Sequence, residues 1–367
     1  HTANTEAVAW ISGITDTTCT LFFLASLLFY LKDRSDPTTP RLFLLSLLFL
    51  LGMLSKETMA TFLGVIFVYD WLETGRFPRV KSNLRVFCPL LATFVLYLIL
   101  RIHAIGAFTN PKQVRFDFLN PFQIVLNQTM LLAQYTAPFF FPAKLNAYHV
   151  FGRVSSPWTY RFGLAVFVLA ASLLAFFVLF KQLNRERRKP FLLGLLWFGG
   201  TLLPVLIFFQ RLGENVFTER YIYLPSLGLC WSVCLTLNLL KGRLFKITSV
   251  ILALLLVTLS WKSIQRNRVW QNDLIFYETT TKASPQAWGL LNNLGAAYNR
   301  RGRYEDALRT FEASVAGGPS PTALKNLAYT YGAVGRPGDS EATYRRAIAL
   351  DPLDSGAYAG LGDVLFK

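Results

Sequence analysis

Charge is what this chain has least of. Only 16% of its 367 residues are Asp, Glu, Lys or Arg, where a soluble domain carries about 25%. With 53% hydrophobic and 15% aromatic residues, an ordinary soluble protein is excluded and a membrane protein with a soluble part attached is expected. Acidic residues are the scarcer sign, 21 against 37 Lys and Arg, for a net charge of +16. That surplus does not mark a nucleic-acid binder. Positions 1–261 hold 24 basic and 11 acidic residues, and positions 262–367 hold 13 and 10. The excess therefore belongs to the apolar part and clusters in its short loops, as cytoplasmic loops do. No basic stripe with interleaved aromatics marks a soluble face, so no nucleic-acid partner is expected. Cysteine is down to four, and Cys19, Cys88, Cys230 and Cys234 all lie in apolar runs. Cys230 and Cys234 stand one helical turn apart without a His or further Cys, so buried thiols are expected there and no metal site. No secretory leader is visible in it: the chain opens on His1-Thr2-Ala3-Asn4, with no Met and no charged stretch running into an apolar one. It reads as a piece of a longer protein.

Apolar runs separated by basic loops lay out the membrane part. Leu21–Leu31, with residues from about Asp16, makes a short helix, and Lys32, Arg34 and Arg41 frame the loop after it. Leu42–Leu54 and Met59–Trp71 flank Ser55-Lys56-Glu57-Thr58. Each arm is shorter than the roughly 20 residues that span a bilayer. One reading is a single helix with a charged middle; the preferred one is a hairpin of two short helices with Ser55-Lys56-Glu57 at its tip. Arg41 and the group Arg76, Arg79, Lys81 and Arg85 then share the cytoplasmic side. Val86–Leu100 is the next span. Pro121–Phe141 is broken by Gln123, Asn127, Gln128 and Gln134 and is expected to lie along the membrane or dip into it. Phe162–Phe180 runs inward to Lys181, Arg185, Arg187, Arg188 and Lys189. Pro190–Phe209 runs outward, Tyr221–Leu240 inward to Lys241, Arg243 and Lys246, and Ile247–Trp261 outward. This alternation places His1–Thr15, Ser55–Glu57, His103–Arg161, Gln210–Arg220 and everything after Trp261 on the non-cytoplasmic side.

Charges within so apolar a frame need a reason. Arg211, Glu214, Glu219 and Arg220 stand between two membrane-length runs, and a charge at membrane depth costs about 2.5–3.5 kcal/mol on insertion scales. They fall on the same side as Lys56, Glu57, Glu6 and Asp16, each near a helix end. A solvated connector and a functional cluster both fit any one of these stretches. A third reading makes Lys56-Glu57 and Glu219-Arg220 ion pairs that hold helix ends together.

After Trp261 the chain becomes polar, with small residues at fixed offsets. Leu291, Leu294-Gly295, Tyr298, Gly302, Ala307, Phe311 and Pro319 are answered by Leu327-Ala328, Tyr331, Gly335, Tyr344, Ala347 and Pro352. Pro285 and Tyr277 supply a half-repeat in front, and Tyr358, Leu361 and Gly362 open another. This is the tetratricopeptide pattern, an α-solenoid of antiparallel helix pairs. The fold class expected is therefore all-α: a polytopic membrane domain over 1–261 followed by a tetratricopeptide domain over 262–367.

A polytopic membrane half followed by such repeats on the non-cytoplasmic side resembles the transmembrane-and-tetratricopeptide protein O-mannosyltransferases and their bacterial relatives, in the GT-C class of glycosyltransferases. The matching stretches are Asn4-Thr5-Glu6-Ala7-Val8-Ala9-Trp10-Ile11-Ser12-Gly13-Ile14-Thr15-Asp16, Ser55-Lys56-Glu57, Phe140-Phe141-Pro142-Ala143-Lys144-Leu145-Asn146, Glu219-Arg220-Tyr221-Ile222-Tyr223-Leu224-Pro225-Ser226 and Gln265-Arg266-Asn267-Arg268-Val269-Trp270. They cover nearly the whole chain in family order. Departures are Asn4 for the usual His, Thr2 for Pro and Ile14 for Arg.

The resemblance implies transfer of a sugar, mannose or similar, from a polyprenyl-phosphate donor to a protein hydroxyl on the periplasmic or lumenal face. It implies a multi-pass protein of a bacterial inner membrane or the endoplasmic reticulum, with the repeats holding an acceptor protein or a partner. It also places the catalytic carboxylate upstream of His1. Glu6 and Asp16 then become supporting groups, and Glu57, Glu219 and Tyr221 positioning groups. A departing lipid phosphate calls for cations, since charge-assisted hydrogen bonds to phosphate are the strong ones; Lys56, Arg211 and Arg220 are the candidates. No cofactor is assigned beyond the polyprenyl-phosphate sugar as donor substrate, and a divalent metal is left open. Two other classes compete: a non-enzymatic membrane-anchored scaffold for envelope assembly, which needs no charged motifs gathered on one face, and a transporter, which would carry charge in mid-helix.

Overall fold

The computed structural model describes residues 4–10, 13–33, 38–75, 80–105, 119–140, 142, 146–212, 216–237 and 239–366. Helices and turns make up all the regular structure of these residues, with no strand among them, as expected of an all-α chain. Arg76, Arg79 and Glu214 lie outside the described residues, as do Ile11-Ser12 and most of the Phe-Pro element (Phe141 and Ala143-Lys144-Leu145). The chain divides into two units, His1–Leu145 with Phe151–Ile264, and Gln265–Lys367 with the short segment Asn146–Val150.

The first unit contains α1 (Thr5–Ala9), α2 (Ile14–Asp33), α3 (Thr39–Ser55), α4 (Thr61–Thr74), α5 (Val80–Ile105), α6 (Pro121–Phe140), α7 (Tyr160–Gln182), α8 (Arg185–Phe208), α9 (Tyr223–Leu237) and most of α10 (Gly242–Val269). Among the described residues, five helices are long and apolar enough to cross a membrane: those over Ile14–Lys32, Leu84–Ile105, Tyr160–Gln182, Arg185–Phe208 and Gly242–Val269. The chain is thus a multi-pass membrane protein by its helices. A single helix through position 56 is ruled out, because Lys56 is extended (φ −162°, ψ 141°) and a 3-10 turn, Glu57–Ala60, leads into α4. The arms pack on different neighbours, α3 on α2 and α5, α4 on α8. Two spans depart from the runs that apolarity outlines. α10 continues past Trp261 to Val269 without a break, because no Gly or Pro interrupts it. α9 starts only at Tyr223, since Glu219–Ile222 forms a separate 3-10 turn; Arg220 therefore precedes the helix instead of opening it.

Helices in lipid gain little from hiding apolar surface from one another, so close packing and polar bonds must hold them. Both are present. Phe23 meets Phe62 edge to face and Trp197 at a tilt, with centroids 5.3 and 5.0 Å apart. α8 and α9 approach so closely that a Cβ on Gly228 would stand 2.9 Å from Trp197 Cβ. Trp197 Nε1 donates to the Leu224 carbonyl at 3.0 Å, and Ser232 Oγ to that of Phe191 at 3.0 Å.

The second unit comprises α11 (Asp273–Ala283), α12 (Trp288–Asn299), α13 (Tyr304–Gly317), α14 (Pro321–Ala333), α15 (Pro337–Leu350) and α16 (Ser355–Leu365). Successive helices pack in order, α12 on α13 and α14 on α15. Caps start them: Asn272 accepts from Leu274 N, Ser320 from Ala323 N, and Asp354 from Gly356 and Ala357 N. Gly302 and Gly335 turn the chain with φ of +71° and +79°, a conformation other residues rarely adopt. The half-repeat in front is α11. Asn146 and Ser284 anchor the segment that joins this unit: Asn146 Nδ2 donates to Ser284 Oγ at 2.9 Å, and Ser284 Oγ to the Tyr148 carbonyl at 2.7 Å.

Candidate functional site

Helix direction decides which charges can meet. At one end of the first unit, Lys189 near the start of α8 donates to the Glu73 carbonyl near the end of α4 at 3.0 Å, and Tyr30 near the end of α2 bonds to Asp70 of α4. At the other end the starts of α2, α4 and α9 come together with the ends of α3 and α5. There α1, the turn after α3 and the turn before α9 form one cluster.

Its frame is a set of pairs between segments distant in sequence. Lys56, in the break between α3 and its turn, forms an ion pair with Asp16 in the first turn of α2. Glu57 pairs with Arg101 near the end of α5, and the same Nη1 of Arg101 donates to Tyr97 OH at 2.8 Å. Glu6, fully buried in α1, accepts the backbone N–H of Arg220 on Oε2 at 3.3 Å. Asn4 Nδ2 donates to Ser226 Oγ at 3.4 Å. The proposed Lys56-Glu57 helix-end pairing is therefore realised differently: each residue reaches a partner on another helix.

On this frame cations alternate with aromatic rings. The Arg220 guanidinium stands 5.0 Å from the Trp10 ring centroid and 5.5 Å from that of Tyr221, and Lys56 Nζ stands 4.5 Å from the Tyr221 centroid. Such contacts are worth about 0.5–2 kcal/mol each, more as water is excluded. They hold the guanidinium without using its hydrogen-bond donors. Arg220 Nε is buried and has no acceptor among the described residues, and the buried Asp16 Oδ2 has no donor among them. Glu219 is fully buried beside Arg220. Underneath, Tyr135 of α6, fully buried, donates to the Val216 carbonyl at 3.3 Å and packs its ring 4.7 Å from that of Phe217.

Of the residues singled out in the sequence, Glu6, Asp16, Lys56, Glu219, Arg220 and Tyr221 converge here. Glu57 stands at the rim with its side chain 56% exposed. Arg211 closes the 3-10 turn Phe209–Arg211, and its side chain lies outside the described residues. Trp10, Arg101 and Tyr135 belong to the cluster but were not singled out. Trp10 lay within a quoted motif; Tyr135 carried no signal in its sequence surroundings. With the Arg101–Glu57 pair at the rim included, three cations meet four carboxylates in the cluster. Among the described residues no three His, Cys, Asp or Glu side chains gather into a metal-holding group.

The tetratricopeptide-repeat family matches over residues 277–321 and 325–367, the stretch folded as α11–α16. Curated relatives match most of the chain. The protein O-mannosyl-transferase TMTC3 of Mus musculus is 25% identical over 402 residues, 96% of this chain and 42% of that protein. The protein O-mannosyl-transferase F38B6.6 of Caenorhabditis elegans is 27% identical, over 87% of this chain and 45% of its own length. TMTC1 of Homo sapiens, also a protein O-mannosyl-transferase, is 26% identical, over 89% and 42%. The chain's homologues are thus protein O-mannosyl-transferases, and it spans less than half the length of these relatives.

Proposed function

We propose that this chain is part of a GT-C-type membrane glycosyltransferase that moves a sugar, mannose by the names of its relatives, from polyprenyl phosphate to a protein hydroxyl. The reaction belongs on the periplasmic or lumenal face of a bacterial inner membrane or the endoplasmic reticulum, a side for the cluster that the alternation of basic loops supports. The observation that carries the reading is the Arg220 guanidinium, clamped between Trp10 and Tyr221 with its buried Nε lacking an acceptor among the described residues. A lipid phosphate supplies that acceptor, and the planar fork of Arg matches phosphate where Lys presents only a point charge. In the reaction the acceptor hydroxyl attacks the anomeric carbon, the carbon–oxygen bond to the phosphate breaks, and the hydroxyl proton passes to a carboxylate base. The resemblance assigns that base to a segment before His1. Arg220 and Lys56 stabilise the departing phosphate, and Asp16, Glu6 and Glu219 fix the two cations in place. The repeats, which form extended concave surfaces, hold the acceptor protein.

The test is transfer of labelled mannose from polyprenyl phosphate mannose by the protein in its natural length, inserted in liposomes. Arg220→Lys should lower transfer about ten- to hundredfold with melting unchanged, the loss of a charge-assisted bond of about 1.5–3 kcal/mol. Wild-type activity in both Arg220→Lys and Arg220→Ala removes Arg220 from the site. No transfer by the unsubstituted protein leaves the membrane-anchored scaffold as the better reading.

A further inference from the structure

The corner where α7 begins turns large rings outward. Trp158 is 93% exposed and Tyr160 78%. The turn that presents them is built by hydrogen bonds. Trp158 N donates to Ser156 Oγ and Thr159 Oγ1 to the Ser156 carbonyl, both at 3.3 Å, and Thr159 caps α7 by accepting from Phe162 N. Next to them Arg161 Nε donates to Tyr160 OH at 3.2 Å. A Cβ on Gly152 would stand 2.6 Å from Arg161 Nη1, so the loop leaves room for that guanidinium.

An exposed apolar patch marks a contact with a membrane or with another protein, and here two observations favour lipid. Tyr160 heads a stripe: Leu164, Phe167 and Leu174, all exposed, follow it at helical spacing. That stripe runs along a helix long and apolar enough to cross a membrane. The charge of the corner is also of one sign. Arg153 and Arg161 stand in it, and the sequence has no Asp or Glu between Asp117 and Glu186. Cations without carboxylates suit a layer of lipid phosphates, and Trp and Tyr, apolar with one polar edge, gather at that level of a bilayer.

Helix α6 hangs from the same corner. Asn127 Nδ2 donates to the Val154 carbonyl at 2.9 Å, and Asn127 Oδ1 accepts from Val154 N at 3.0 Å. From there α6 runs beside α7: Met130 and Ala133 pack with Ala165, and the Phe140 ring comes to 6.3 Å from that of Phe176.

We propose that this corner is an anchor in the headgroup layer of the bilayer. Trp158 and Tyr160 lie among the headgroups, Arg161 meets their phosphates, and the stripe from Leu164 onward faces acyl chains. With the corner held at that level, α6 dips into the bilayer beside α7 instead of lying along its surface. The depth of Tyr135, beneath the turn that carries Arg220, is then set from the lipid side. The anchor stands whether or not the chain transfers sugar.

Spin labels on the full chain in phosphatidylcholine nanodiscs test this. Cys88, Cys230 and Cys234 are changed to Ser, the buried Cys19 is left in place, and Trp158→Cys, Tyr160→Cys, Phe167→Cys and Leu353→Cys are labelled one at a time. All four side chains are exposed, so none of these changes opens the core. Position 167 should admit oxygen and exclude a water-soluble nickel chelate, and position 353, in the repeat unit, should do the reverse. Positions 158 and 160 should fall between them, with collision by the chelate about threefold below that at 353. A value at 158 equal to that at 353 or at 167, or exclusion of both reagents there, overturns the anchor; the last outcome means that protein, a second copy of the chain included, covers the patch. Arg161→Glu should raise chelate collision at 158 about twofold by repelling phosphate, while Arg161→Lys should not. No change in Arg161→Glu overturns the phosphate contact.

Discussion

The two units hold their helices by opposite means. In the repeat unit contacts recur from one repeat to the next. Tyr298 OH donates to Glu278 and Tyr331 OH to Glu312, both at 2.9 Å. Arg303 lies over the Tyr298 ring and pairs with Asp306; Arg336 lies over Tyr331 and pairs with Asp339. Among the described residues of the membrane unit no such contact recurs. Lys56 reaches Asp16 across 40 residues, and Arg220 reaches Glu6 across 214. A periodic structure shares its load among neighbours and is nearly a sum of repeat terms. A structure of single long-range pairs has no spare copy.

The sharpest way to break that contrast is to remove one member of a buried pair. The Lys56 and Asp16 side chains are 14% and 8% exposed. Lys56→Ala leaves a buried carboxylate without its cation and should cost about 3–5 kcal/mol, while Lys56→Met with Asp16→Leu should cost far less. Thermal melting in detergent measures both. Equal melting points for the single and double variants would show that the pair is not a support without a copy.

A smaller loss is expected from overfilling one repeat. A Cβ on Gly295 would stand 2.8 Å from three atoms of the fully buried Phe311 ring. Gly295→Leu should cost about 1–3 kcal/mol. Gly332→Ala serves as the control, because its nearest neighbour, Ser340 Oγ, is 3.5 Å away. That change should be neutral or slightly stabilising in a helix. If the two variants melt alike, Gly295 does not mark a close helix contact.

The same contrast governs what could be read from the sequence. Gly302 and Gly335, or Phe311 and Tyr344, announce the repeat because each position predicts its counterpart. In the membrane unit only the anomaly of charge in an apolar run is legible, and it brought out Glu6, Asp16, Lys56, Glu219 and Arg220. Their partners were not legible. Arg101 ends an apolar run as many basic residues do, and Tyr135 looks like any aromatic in an interfacial helix. Only the packing of α6 beneath the turn before α9 brings Tyr135 to Val216. The ends of α9 and α10 were missed for a local reason: apolarity marks what can lie in lipid, while backbone bonding decides where a helix starts and stops.

At the rim the expected effect is small. Glu57 is more than half exposed where it meets Arg101, and exposed pairs contribute about 0–1 kcal/mol. Glu57→Gln should shift melting far less than Lys56→Ala, although the two residues are neighbours. A comparable shift would mean that the tip of α3 acts as one unit and that burial does not rank its pairs.

The faintest effect concerns acid and the repeat unit. Hydrogen bonds from Arg301 and then Arg300 hold the Asp273 carboxyl down at about 2. Asp306 is lowered by Arg309 and Arg303, and Asp354 by Lys325. A carboxyl lowered in the folded state adds stability that is fully present above its unfolded value, about 3.9 for Asp. That stability is lost as pH falls through the folded value, because the unfolded chain then binds more protons than the folded one. The window for Asp273 therefore runs from about pH 4 down to about pH 2. These groups are exposed, so water and salt screen each contribution. Melting of the repeat unit should fall gently across that window, less steeply at high salt and less steeply again in Asp273→Asn. The slope should shrink only in part in that variant, because Asp306 and Asp354 still titrate in the same direction. A slope that vanishes in Asp273→Asn alone would place the acid response in one pair between α11 and α12, and would break the picture of a load shared along the repeats.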